Sequence, residues 1–133
     1  MSTVFSLIIT GDIPGTFVYR DELCVAFMSI NPITDGHVLV VPIEEVDHWI
    51  DMSPELSQHM FSVCHQISQA LAQAFPCERV GMMIAGYEIN HCHVHLIPTT
   101  SIGDFNFAKA AAKIDREILE RHAEKIIAAL KQD

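Results

Sequence analysis

Histidines stand at positions 91, 93 and 95 of this 133-residue chain, separated by Cys92 and Val94 and followed by Leu96. Residues two apart in an extended strand project from one face, so the spacing predicts a strand over 89–97 with three imidazoles on one side and an apolar row on the other. Three uses compete for such a row. Packing alone is a poor use of three imidazoles. Zinc is the second, but positions 91 and 95 lie ~13 Å apart along a strand, so at most two rings could share an ion. Cys24, Cys64, Cys77 and Cys92 form no Cys-x-x-Cys pair that would complete a closed metal site. Chemistry on phosphorus fits best. Imidazole titrates near ~6.5, so one ring can attack as a neutral nucleophile while a neighbour carries a proton toward the phosphate. His37, directly after Gly36, supplies a fourth imidazole if its strand lies beside the one bearing the row.

The rest of the composition constrains what that row can meet. Half the residues are hydrophobic and 19% are charged, which suits one packed domain and not a disordered tail. Eight Lys and Arg face seventeen Asp and Glu for a net charge of -9, and Arg20 and Arg79 are the only basic residues before Lys109. A body this acidic is a poor partner for nucleic acid. The later basic residues, Lys109 and Arg116 among them, alternate with acids and read as a solvated helix face. An anion would then be held by imidazoles and backbone N–H groups. The cysteine spacing suits free thiols, and the apolar run 4–9 lacks a basic flank and is broken by Gly11, Asp12 and Pro14. Neither a secretory leader nor a membrane span is expected, and a cytoplasmic setting is.

The elements that must position the histidines follow from local pattern. Phe5 and Ile8, three apart, predict one short amphipathic helical turn. Runs 17–20 and 23–28 flank Asp21-Glu22 as a hairpin, and 37–41 forms a third strand that Pro42 ends. Ser53-Pro54 starts a helix over 54–74, with Leu56, Met60, Val63, Cys64, Ile67, Leu71 and Ala74 on its core stripe and His59 and His65 on its solvated side. A fourth strand spans 80–85. The last helix is expected over about 107–130, with Ile114, Ile118, Arg121 and Lys125 carrying its period.

The segment HCHVHLI, His91 to Ile97, fits the pattern His-φ-His-φ-His-φ-φ, where φ is hydrophobic. With FSLIITGDIPGTFVYRDE and LCVAFMSINPITDGHVLVVP upstream, the chain resembles the histidine triad (HIT) family of nucleotide-binding hydrolases and transferases over residues 4 to about 101. The resemblance implies an α+β fold across 1–133 as a single HIT domain: a five-stranded antiparallel sheet, a packed central helix and a C-terminal helix, usually in a homodimer. It implies that His93 attacks the α-phosphorus of a nucleotide, that water resolves the nucleotidyl-histidine, that His91 and His95 orient or contact phosphate, and that His37 bonds within the cluster. Phe5, Ile8, Phe27 and Ile30 map onto the family's base pocket, suited to a purine.

The chain departs from the family at three places. Ser29 stands where many relatives carry an acid for the ribose hydroxyls. Glu88 stands at the position of a phosphate-binding hydroxyl, within the short segment 86–90. Thr3 and Ser6 stand where many bacterial relatives bind zinc through Cys-x-x-Cys, so neither metal nor cofactor is expected. Two function classes follow: a hydrolase that releases a nucleoside monophosphate, AMP or GMP, from an amine, acyl or phosphate leaving group, or a nucleotide-binding module with little turnover.

Overall fold

The computed structural model describes residues 2–131. Its elements run α1 (Val4–Thr10), β1 (Phe17–Arg20), β2 (Cys24–Met28), β3 (Val38–Pro42), α2 (Pro54–Ala74), β4 (Arg79–Met83), β5 (Val94–Thr99) and α3 (Arg116–Leu130), with short 3-10 turns at 49–51, 102–104 and 107–109. The strands form one sheet in the order β1-β2-β3-β5-β4, every neighbouring pair antiparallel. This is the expected α+β architecture. None of the described helices is long and apolar enough to cross a membrane.

Strands β2 and β3 are buried at every position, because both faces of the sheet are covered. Ala26, Met28, Val38, Val40, Val94 and Leu96 face α2 and α3, whereas Val25, Phe27, Leu39 and Val41 form a second cluster with Phe5 of α1. A strand covered on both faces reads as a continuous apolar run, as Val38-Leu39-Val40-Val41 does. Helix α2 begins as its sequence dictates: the Ser53 hydroxyl accepts the Leu56 N–H at 3.1 Å and Pro54 opens the first turn.

Several boundaries depart from the sequence reading: β3 takes in Pro42, β4 ends at Met83 rather than at residue 85, and two larger differences bear on the site. The histidine-bearing strand starts at Val94, not at residue 89, and it runs through Pro98. The β3 ladder reaches only Val40 opposite Val94, and the Cys92 N–H goes instead to the Val46 carbonyl at 2.7 Å, so the chain before Val94 has left the sheet. Pro98 is tolerated because pairing with β3 ends at Leu96, where the missing N–H leaves no gap in the ladder. The last helix starts at Arg116 and buries Leu119, Ala123, Ile126 and Ala129, a face rotated from the expected one.

Gly36 places His37. Its φ is +89°, and an added Cβ would lie 2.8 Å from the buried ring of Phe75. A left-handed non-glycine residue costs ~1–2 kcal/mol, and overpacking a filled core adds ~1–3 kcal/mol. Gly36→Ala is therefore expected to destabilise the fold by roughly 2 kcal/mol or more in urea unfolding. An unchanged midpoint would show that the Phe75 ring yields freely.

Candidate functional site

Register across three strands builds the site. Phe27 pairs with Leu39, and Leu39 pairs with His95, so the three lie in one row on the α1 side of the sheet. Two strand spacings separate Phe27 from His95 by ~10 Å. At the apolar end, Phe5 packs edge-on to Phe27, with ring centroids 5.5 Å apart, and Phe17 also packs edge-on to Phe27 at 5.8 Å. Toward the imidazole end, Phe5 also contacts His93 at 4.9 Å, His93 contacts His95 at 4.9 Å, and His95 contacts His37 at 5.1 Å.

A cleft of about 670 Å³ runs along this row, within the range of small-molecule sites. It is lined by nine of the ten residues singled out above: Phe5, Ile8, Phe27, Ser29, Ile30, His37, Glu88, His93 and His95. Ile30 and Glu88 stand exposed at the rim, and Ser29 is buried.

His91, the tenth, does not line the cleft. It is fully buried, with Nε2 bonded to the Pro42 carbonyl at 2.7 Å and Nδ1 to the Thr3 hydroxyl at 2.7 Å. Thr3 caps α1 by accepting the Ser6 N–H, and the Ser6 hydroxyl and Thr3 N–H both donate to Glu45. Thr3 and Ser6 thus tie α1 to the loop after β3 and to the first histidine of the row.

Hydrogen bonds fix the tautomers. A carbonyl only accepts, so the 2.8 Å contact of His93 Nδ1 with the His91 carbonyl places the proton on Nδ1 and leaves the lone pair on Nε2. The Ile33 N–H donates to His37 Nδ1 at 3.0 Å, so His37 donates from Nε2 to His95 Nδ1 at 2.9 Å. A neutral His95 then carries its proton on Nε2. Burial, with His93 nearby, pushes His37 down to about 4, and burial with His37 and His93 nearby pushes His95 down to about 3. Burial lowers His93 too, against the opposing pull of the His91 carbonyl. The sequence reading expected a protonated neighbour beside a neutral nucleophile; instead the packed rings disfavour charge, and the cluster offers neutral N–H donors.

Sequence reasoning missed one wall. Phe107, Ala110, Ala111 and Arg116 line the cleft from the C-terminal segment. Phe107 packs edge-on to His95 at 4.9 Å, and Arg116 bonds to the Thr16 hydroxyl, so it does not belong to a purely solvated helix face. Only pairing across the fold reveals this, because no local pattern marks these residues.

His59 does not lie on a purely solvated side of α2. It is half-buried and bonded to Asp21 at 2.6 Å. Asp21, His59 and Cys24 offer donor atoms close together, but the Asp21 carboxylate already accepts from Tyr19, Leu23 and Cys24 as well as meeting His59. Although burial opposes it, those hydrogen bonds hold Asp21 well below the usual carboxylate range, and burial pushes the Cys24 thiol up to about 12. The group is a filled hydrogen-bond hub.

Comparison with known proteins gives a match to the HIT domain model over residues 10–102. The chain is 34% identical over 122 residues to an uncharacterized HIT-like protein of Borreliella burgdorferi, covering 86% of this chain and 87% of that one. It is 33% identical over 107 residues to a purine nucleoside phosphoramidase of Escherichia coli, covering 76% and 90%. Among solved structures, a Hit-like protein involved in cell-cycle regulation from Bartonella henselae superposes with a TM-score of 0.85 at 29% identity, covering 96% of each chain.

Proposed function

Because this chain belongs to the HIT domain family, we propose that it is one HIT domain acting as a nucleotide hydrolase: it cleaves a purine nucleoside monophosphate from an amine, acyl or phosphate leaving group through His93. The observation that carries this reading is the His93 ring itself. It lines the cleft with Nδ1 committed to the His91 carbonyl, which leaves the Nε2 lone pair free for phosphorus, and it touches the apolar slot through Phe5. In the proposed reaction Nε2 attacks the α-phosphorus, a P–N bond forms, and the bond to the leaving atom breaks as that atom takes a proton from solvent. Water then attacks phosphorus, the P–N bond breaks, and the proton that water gives up returns to solvent, releasing the monophosphate and restoring neutral His93.

His95 Nε2–H is suited to donate to a phosphate oxygen, with its tautomer held by His37. His91 supports the nucleophile through its carbonyl. A base between Phe5, Ile8 and Phe27, with Ile30 at the rim, uses the apolar end of the cleft. The names of relatives agree with this class, the E. coli protein being a purine nucleoside phosphoramidase. Homodimer formation belongs to the same proposal; its support is β4, an edge strand with exposed Met82, followed by exposed Ile84. A cytoplasmic setting is consistent with four free cysteines.

A fluorogenic adenosine phosphoramidate beside an AMP titration tests the reading. Turnover with micromolar-to-millimolar AMP binding is expected, unaffected by EDTA, since hydroxyls occupy positions 3 and 6 and no step calls on a metal. AMP binding without turnover would mark a binding module instead. Loss of activity on chelation would overturn the metal-free mechanism.

A further inference from the structure

Arg116 is the one Lys or Arg lining the cleft among the described residues. Its Nη1 donates to the Thr16 hydroxyl at 3.1 Å, and the Thr16 carbonyl accepts the Met28 N–H at 2.9 Å, so the guanidinium is stationed beside the end of β2. Ser29 follows there, and its N–H donates to the His37 carbonyl at 3.0 Å. Ser29 therefore stands between the aromatic slot at Phe27 and the imidazoles. A ribose crosses this stretch when its base fills the slot and its 5′-phosphorus lies at His93.

The charge at this point is unusual for the molecule. The chain carries a net charge of -9, yet Arg116 is exposed and pairs with no carboxylate among the described residues. Its Thr16 contact uses one of five N–H donors and leaves the others for an anion. The segment is held in place: Asn31 Nδ2 donates to the Ala111 and Ala112 carbonyls, and the Ala111 N–H donates to the Pro32 carbonyl. Glu88, the other charged residue of the lining, acts on His93.

We propose that the cleft takes purine nucleotides whose ribose bears a second phosphate, at the 2′ or 3′ oxygen, with Arg116 binding that phosphate and Ser29 leaving it room. The inference rests on the nucleotide reading above. A carboxylate at position 29 would bond free ribose hydroxyls and repel a phosphate there; a small neutral hydroxyl beside a guanidinium does the reverse. Dinucleotide sites make the same exchange, an acid for a ribose hydroxyl and an arginine for a ribose phosphate.

Calorimetric titration with 5′-AMP, adenosine 2′,5′-bisphosphate and adenosine 3′,5′-bisphosphate tests it. One bisphosphate is expected to bind the wild-type protein about tenfold or more tighter than 5′-AMP, the worth of one charge-assisted contact, and its identity locates the second phosphate. That ratio should fall toward one in Arg116→Gln, fall less in Arg116→Lys, and invert in Ser29→Asp. Arg116 is exposed, so its variants carry the test even if Ser29→Asp folds poorly. Binding of 5′-AMP with no preference for either bisphosphate overturns this inference and leaves the nucleotide reading standing. A preference that survives Arg116→Gln overturns it as well. Failure of all three ligands to bind overturns both.

Discussion

Turnover by His93→Ala is expected to fall by ~10³-fold or more, while AMP affinity stays within about tenfold. Removing the nucleophile removes the covalent step, whereas the base slot and the His95 donor remain for ground-state binding. The site predicts a graded series around it. His95→Ala should slow turnover without abolishing it, because it removes one donor. His91→Ala should cost both activity and stability, because the His91 ring is fully buried between Thr3 and Pro42 and its carbonyl holds His93. Single-turnover kinetics with the phosphoramidate, alongside AMP titration, measures the series. Wild-type turnover in His93→Ala would end the proposed mechanism.

Acid should loosen this fold earlier than carboxylate titration alone would. His37 is pushed from 6.5 down to about 4 and His95 down to about 3 in the folded protein. The unfolded chain takes up protons on these rings near 6.5, so between that pH and about 4 it binds more protons than the folded chain does. Stability from the neutral rings is thus fully present above about 6.5 and is lost as pH falls toward the folded values. For buried His37 the whole shift is worth about 3 kcal/mol, of which roughly 2–3 kcal/mol is lost between pH 7 and 4.5. Urea unfolding at pH 7, 5.5 and 4.5 reads this before most carboxylates titrate. The midpoint should fall steadily, and His37→Asn should flatten the fall. A wild-type midpoint that stays constant over that range would mean that the rings are not held neutral.

Much of this is legible in the sequence, and the exceptions have physical causes. Ser53-Pro54 and the stripe from Leu56 to Leu71 announce α2 because capping and period are local properties. Phe5, Ile8 and Phe27 are legible as a slot through the resemblance, and they line the cleft. The stretch 91–93 misleads because alternation signals a strand only where a partner strand exists. There the neighbouring loop takes the Cys92 N–H, and His91 turns toward α1. Helix α3 misleads in phase because its buried face uses Ala123 and Ala129 beside Leu119 and Ile126, and alanine does not separate an inner face from an outer one by hydropathy. Arg116 and Thr16 meet across one hundred positions, and no window of sequence contains such a pair.

The seven residues of α1 are too few to stay helical on their own. What orders them is attachment: the Thr3 hydroxyl on His91, Ser6 on Glu45, and Phe5 against Phe27 and His93. Detachment would therefore be one cooperative local opening in which the helix melts, the base wall leaves and the His91 ring loses a partner together. Amide exchange at Leu7, whose N–H bonds to the Thr3 carbonyl, would report the same opening that exposes His91 from that side. Thr3, Phe5 and Ser6 thereby govern how often the nucleophile's backbone support is fully assembled.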